Sequence, residues 1–170
     1  MIYFIADTHF SEKKIMLYEN RPFQNVTEMN EELVKRWNQV IHEEDEVYHL
    51  GDFGAEGQES SILKQLKGRK FLLKGNHDTH SNQYYREAGF DEVYDYPIII
   101  QNFWILSHEP LYVNTNMPYA NLFGHVHNSP IFQTYSSQHY CVSVERINYT
   151  PISFEEIMLA VRANTNQTIS

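Results

Sequence analysis

Leu72-Leu73-Lys74-Gly75-Asn76-His77-Asp78 lies near the middle of a chain of 170 residues. An apolar run stops at a glycine, and an amide, an imidazole and a carboxylate follow in a row. Asn offers a carbonyl oxygen, His a proton near neutral pH and Asp a fixed negative charge, which together are the parts of a metal site with a proton donor beside it. The plain alternative is a polar turn between a strand and a helix, with Asp78 capping the helix. Repetition decides between them. Ile2-Tyr3-Phe4-Ile5-Ala6 delivers Asp7-Thr8-His9, and Val47-Tyr48-His49-Leu50 delivers Gly51-Asp52. Each is a short apolar run of the kind a buried strand shows, ended by ligand-type residues.

The intervals between these runs read as helices. Thr27 predicts the cap of a helix over 28–42, whose apolar side carries Met29, Leu33, Val34, Trp37, Val40 and Ile41. Further helices are expected over 58–66, stopped by Gly68, and over 81–88. Strand and helix in alternation predict a parallel sheet with helical cover. From Glu92 the pattern changes to short apolar segments at 93–94, 98–100, 103–106, 122–123 and 140–144 with few helical intervals. That predicts a second, more antiparallel sheet. A last helix over 154–162 starts at Ser153, and the polar tail from Ala163 is expected to fray. Nothing reads as a linker, so residues 1–170 are expected to form one domain.

Composition narrows the function classes. A hydrophobic content of 42% with 14% aromatic residues fits a packed globule. A net charge of −9 gives no basic field for a nucleic-acid polymer, and two divalent cations would reduce it to about −5. The apolar start stops at Asp7, too short for a signal peptide or a membrane span. A lone cysteine, Cys141, forms no internal disulfide and lies in an apolar stretch, so it reads as a strand residue in a reducing, cytoplasmic setting.

The strand ends carry Asp7 and His9, Asp52, Asn76 and His77, His108, and His125 and His127. In open α/β sheets, residues beyond the carboxyl ends of strands share one crevice. So many oxygen and nitrogen donors exceed the need of one ion with open positions and suit two ions sharing a carboxylate. Asp-x-His and His-x-His would put both members of a pair on one side of an extended segment. Glycines ahead of Asp52, Asn76 and His125 would let the backbone approach an ion. His49, just before Leu50-Gly51-Asp52, reads as a core histidine.

In this order, Asp7-Thr8-His9, Gly51-Asp52, Gly75-Asn76-His77-Asp78, His108 and Gly124-His125-Val126-His127 resemble the signature blocks of the calcineurin-like metallophosphoesterase superfamily. With Asn20-Arg21-Pro22-Phe23 after the first block, the chain is similar to its small single-domain bacterial and phage members. The resemblance implies an α/β fold of two mixed sheets packed as a sandwich and flanked by helices in four layers. It implies that Asp7, His9 and His127 hold one ion, that Asn76, His108 and His125 hold a second, and that Asp52 bridges them. His77 would sit over the site as proton donor to the leaving oxygen. The cofactors implied are two divalent transition-metal ions, manganese first, with iron, zinc or nickel also suited to a donor set without thiolate.

The activity implied is hydrolysis of a small phosphodiester or phosphomonoester by a water activated between the ions. No long insertion separates the blocks to form a cap, and an open site favours the diester. Phe53-Gly54-Ala55-Glu56 lacks the Asp and Arg of the phosphoprotein-phosphatase branch, which argues against that substrate. It also leaves open which group orients His77, Asp78 being the first candidate. Arg21 either reaches a substrate phosphate or pins its loop. Ser11-Glu12 stands where close relatives have Gly-His, so their substrate preference does not carry over. Two other readings compete. A protein-binding scaffold of this fold would lack the His77 equivalent, and a nuclease would carry the basic surface this chain lacks.

Overall fold

The computed structural model describes residues 1–130 and 136–167. Three apolar runs of the first half become parallel strands, β1 (Ile2–Ile5), β2 (Glu46–His49) and β3 (Arg69–Leu73), and β4 (Glu92–Tyr94), expected in the second sheet, instead joins them parallel to β3. Their sheet runs β4-β3-β2-β1, with Ile5 beside His49, His49 beside Leu72 and Leu72 beside Val93. Every strand steps to the same side of the one before. Right-handed crossovers then place all the connecting helices on one face. Those helices are α1 (Lys13–Tyr18), α2 (Val26–Val40), α3 (Glu59–Leu63) and α4 (Asn82–Ala88). Alternation along each strand divides the core in two. Tyr3, Ile5, Val47 and Leu72 meet Leu33 and Trp37 of α2, Ile62 of α3 and Tyr85 of α4.

The other side chains of the same strands, Phe4, Ala6, Leu50 and Leu73, meet the second sheet. That sheet is formed by β5 (Ile98–Ile100), β6 (Trp104–Leu106), β7 (Ala120–Phe123) and β8 (His139–Cys141), in that order. Trp104, Leu106, Ala120 and Leu122 face the first sheet, together with Phe154, Ile157 and Val161 of α5 (Phe154–Gln167). Two mixed sheets packed face to face with helices agree with the expected α/β class.

The second sheet is not the more antiparallel one expected. Only β5 and β6 are antiparallel; β6, β7 and β8 run parallel. Parallel neighbours need a crossover, normally helical. Here the segments between β6 and β7 and between β7 and β8 carry no helix among the described residues, which removed the signal. Smaller differences have local causes. Asn25, not Thr27, caps α2, because its side chain accepts the Glu28 N–H. Ser153 is the last residue of an unforeseen two-residue strand, β9 (Ile152–Ser153), antiparallel to β1. It still caps α5, accepting the Glu156 N–H while Glu156 accepts its own N–H. The helix then runs to Gln167, beyond the expected end at 162, because Ala163 to Gln167 contain no Gly or Pro to stop it.

The apolar stretch 140–144 serves both sheets. Its first part lies in β8, and its second leaves to pair with the end of β1. Ala6 donates its N–H to Val142 O at 2.9 Å, and Val144 donates to Ala6 O at 3.1 Å. The two sheets are thus stitched together at the end where the ligand-type residues emerge.

Candidate metal centre

Because β1, β2 and β3 are parallel in one sheet and β6 and β7 in the other, their carboxyl ends open on one crevice. Asp7, His9, Asp52, His125 and His127 there have φ of 59°, 47°, 58°, 68° and 45°. The pairs are therefore not set by an extended segment, as their spacing suggested, but by left-handed turns at each ligand. For residues with a Cβ such turns cost about 1–2 kcal/mol each. They are held by a backbone ladder in which Asp7 donates to Gly51 O at 2.9 Å, His9 to Asp52 O at 3.0 Å and Phe10 to Phe53 O at 2.9 Å. Thr8, between the two ligands, points inward to Phe53 O and His49 Nε2. Gly75 is required for space, since a Cβ there would lie 2.2 Å from Asp52 Oδ1.

The donors converge around the Asp52 carboxylate. His108 Nε2 is 3.4 Å and His9 Nε2 3.7 Å from Asp52 Oδ2. On the His108 side, Asn76 Oδ1 lies 3.0 Å from both His108 Nε2 and His125 Nδ1, which are 3.1 Å from each other. On the His9 side, donor atoms of Asp7, His9 and His127 lie within 4.8 Å of one another. His125 donates its backbone N–H to both Asp7 oxygens, and Ser143 Oγ donates to Asp7 Oδ2 at 2.6 Å.

These residues fit a pair of cations on the structure's own terms. Both ring nitrogens of His9 are buried without a hydrogen-bond partner among the described residues. Nδ1 lies 3.2 Å from Glu12 Oε2 but is not aligned for a hydrogen bond, and Nε2 faces Asp52. At most one proton fits between His108 Nε2 and His125 Nδ1, so their lone pairs beside an amide oxygen lack an electrophile. Oxygen and imidazole donors without thiolate suit a divalent transition-metal ion.

The electrostatics agree. Burial pushes the Asp7 carboxyl up, and the His127 and His108 imidazoles only partly offset this. Burial also opposes ionisation of Asp52, but the hydrogen bond and charge of His108 and the His77 N–H hold its carboxyl well below the usual range. Burial lowers His108, and Asp52 outweighs it, raising the imidazole to about 9. A cation held by these residues would take the place of that proton.

Residues 1–159 match the model for calcineurin-like phosphoesterases. The chain belongs to that family. The uncharacterized protein MJ1445 of Methanocaldococcus jannaschii is 33% identical over 165 residues, 92% of this chain and 89% of its own. The gene 66 protein of Mycobacterium phage L5 is 32% identical over 81 residues, 45% of this chain and 39% of its own. Among solved structures, the protein of unknown function AQ665 from Aquifex aeolicus superposes with a TM-score of 0.71 at 29% identity, covering 92% of this chain and 97% of its own.

Within this calcineurin-like phosphoesterase two expected site residues face elsewhere. The Arg21 side chain is fully buried and donates to Thr8 O at 2.8 Å and Asp7 O at 2.6 Å, with Nη2 2.7 Å from Glu145. It pins the end of β1 and does not reach the mouth of the site. Asp78 is buried and accepts N–H bonds from Asp52 at 2.6 Å, Gly75 at 2.9 Å and Phe53 at 3.1 Å. Its carboxylate ties two ligand loops together instead of turning to His77. Burial raises its carboxyl, and the three N–H groups only partly counter that. The His77 ring is exposed, edge-on to His9 at 5.1 Å between centroids.

Ser143 and Glu145 escaped sequence reasoning. Glu145 meets both Arg21 and His127 Nδ1. Their signal was present, as polar residues at every second position beyond an apolar strand. Cys141 ends β8, where burial raises its thiol and suppresses the nucleophilic thiolate.

His49 is the core histidine expected, bonded to Thr8 Oγ1 at 2.9 Å. Burial pushes its imidazole down to about 3. Between pH 6.5 and about 3 the unfolded chain binds a proton there that the folded chain refuses, so stability falls as pH drops through that window. The metal-free protein should lose about 2 kcal/mol from this residue between neutral pH and pH 5. Urea denaturation at the two pH values reads it. An equal loss in His49→Gln would assign the effect to other groups.

Proposed function

We propose that this calcineurin-like phosphoesterase hydrolyses small phosphate esters, diesters before monoesters, with two divalent ions, manganese first. The observation that supports this best is the convergence of Asp7, His9, Asn76, His108, His125 and His127 about the one carboxylate of Asp52. Asp7, His9 and His127 with Asp52 would hold one ion, and Asn76, His108 and His125 with Asp52 the other. When bound, such a pair supplies Lewis acidity toward phosphoryl oxygens and an acidified water. The chain's own residues do the rest. The His77 N–H donates to Asp52 Oδ1 at 2.9 Å, fixing the backbone under a ring that opens to solvent. That imidazole can give its proton to the leaving oxygen.

Beside His77 lies a groove of about 300 Å³ lined by Glu12, Glu56, Glu59, His80 and Tyr85. Carboxylates there disfavour the second negative charge of a monoester more than the single charge of a diester, and they oppose a polynucleotide. No helix among the described residues is long and apolar enough to cross a membrane. With the lone Cys141, that fits a protein working in the cytoplasm on a small substrate.

The test is hydrolysis of bis-p-nitrophenyl phosphate beside p-nitrophenyl phosphate, after chelation and Mn²⁺ add-back. Metal-dependent cleavage should favour the diester, and His77→Ala should lower kcat roughly 10²- to 10⁴-fold with bound metal retained. Two bound ions with no turnover would replace the hydrolase by a protein-binding scaffold.

A further inference from the structure

The two groups of donors are unlike in what stands behind them. His127 Nδ1 lies 3.2 Å from both oxygens of Glu145, and His9 Nδ1 lies 3.2 Å from Glu12 Oε2. His127 is thus hydrogen-bonded to a carboxylate at Nδ1, and His9 faces one at ion-pair distance without an aligned hydrogen bond, which leaves Nε2 of each toward the crevice. His108, in the Asn76 group, has its Nδ1 on a backbone carbonyl, Leu50 O, at 2.8 Å. Glu145 is anchored by Arg21, and its side chain is only 4% exposed. Glu12 is aimed by its neighbour. Ser11 has φ 65° and is clasped by Asn30, which accepts its N–H at 2.9 Å and donates to its Oγ at 2.9 Å.

Charge and burial run the same way. Asp7, Glu12 and Glu145 surround the His9 side, with Asp52 shared and Arg21 opposing them. The other side has the shared Asp52 and a neutral amide, Asn76. Asp7 and His9 are buried and His127 half-buried, whereas on the other side only His108 is buried and Asn76 and His125 are exposed.

We propose that Glu12 and Glu145 are positioning residues that make the two ion sites unequal, so that the site of Asp7, His9, Asp52 and His127 fills first and the site of Asn76, His108 and His125 exchanges freely. A carboxylate on the far nitrogen fixes the tautomer and orientation of a ligating imidazole and raises its basicity, and losing such a partner costs 10- to 100-fold in metal affinity. This rests on the two-ion reading above and adds an order of loading to it.

The test is equilibrium dialysis of the metal-stripped chain against Mn²⁺, counting bound metal per chain by mass spectrometry. The wild-type isotherm should resolve into two steps at least about tenfold apart. Glu145→Gln should weaken the tighter step roughly 10- to 100-fold, and Glu12→Gln should weaken it in the same direction. The looser step should stay within about twofold in both, while Asn76→Ala should move only the looser step. If Glu145→Gln leaves Arg21 too poorly paired to fold, the half-buried Glu12 decides the question. Two equal steps in the wild type, or an unmoved tighter step in folded Glu12→Gln, would overturn the proposal. The readout needs no substrate, so unequal ions on a chain that cleaves no ester would uphold this inference and defeat the proposed activity. Equal ions on an active enzyme would do the reverse.

Discussion

Asp52→Asn should lower metal-dependent kcat/KM on the order of 10³- to 10⁴-fold and leave fewer than two Mn²⁺ bound per chain. The Asp52 carboxylate faces an imidazole of each donor group. Its Oδ2 faces His108 Nε2 at 3.4 Å and His9 Nε2 at 3.7 Å, and its Oδ1 accepts the His77 N–H at 2.9 Å. Asparagine preserves the shape and can keep the bond to His77, so what it removes is the charge between the two sites. Loss of several kcal/mol of electrostatic stabilisation in the transition state is what the fold-change expresses. Far-UV circular dichroism and the melting curve of the metal-free variant check that the loss is local. A variant within tenfold of the wild type would show that Asp52 does not join the two ions.

Arg21→Met should destabilise the protein by about 3–5 kcal/mol while leaving KM of the folded fraction unchanged. The side chain is fully buried and pairs with Glu145 at 2.7 Å. Methionine keeps the stem but strands a buried carboxylate, and it removes the donors to Thr8 O and Asp7 O. Burial already opposes ionisation of Glu145, and His127 and Arg21 together hold its carboxyl below the usual range. Adding Glu145→Gln to Arg21→Met should therefore recover part of the loss. Urea denaturation of single and double variants reads this directly. Arg69, half exposed and beside Glu46 at 3.2 Å, is the control, because an exposed pair contributes about 0–1 kcal/mol. Intact stability with a raised KM would instead put Arg21 back at a substrate phosphate.

Residue type and position reveal much of this molecule, within definite limits. Strands β1, β2 and β3 are legible because each is a short apolar run, as required of a strand covered on both faces, whereas β4 read as part of the second sheet and the two-residue β9 gave no signal. The direction of β7 and β8 is not legible, because among the described residues their crossovers carry no α-helix to announce it. The donors at the crevice stand out because their side chains have little other reason to follow a strand. Orientation is harder. Asp78 adjoins His77 in sequence, yet its carboxylate faces three backbone N–H groups. Ser143 reaches Asp7 across 136 positions only because the chain leaves β8 to pair with Ala6. Arg21 was readable either as a contact to a substrate phosphate or as a pin of its loop, and its side chain lies buried against Glu145.

The seam at Ala6 has a consequence for the lifetime of the protein. The donors on one side of it, Asp7, His9, Asp52 and Asn76, belong to the first sheet, and His108, His125 and His127 belong to the second. Neither sheet carries a complete set, so a pair of ions would clasp the sandwich shut at its open end. Their binding free energy would then count as free energy of folding. Metal supply would govern resistance to proteolysis as well as turnover, and a starved cell would clear this chain sooner than a replete one.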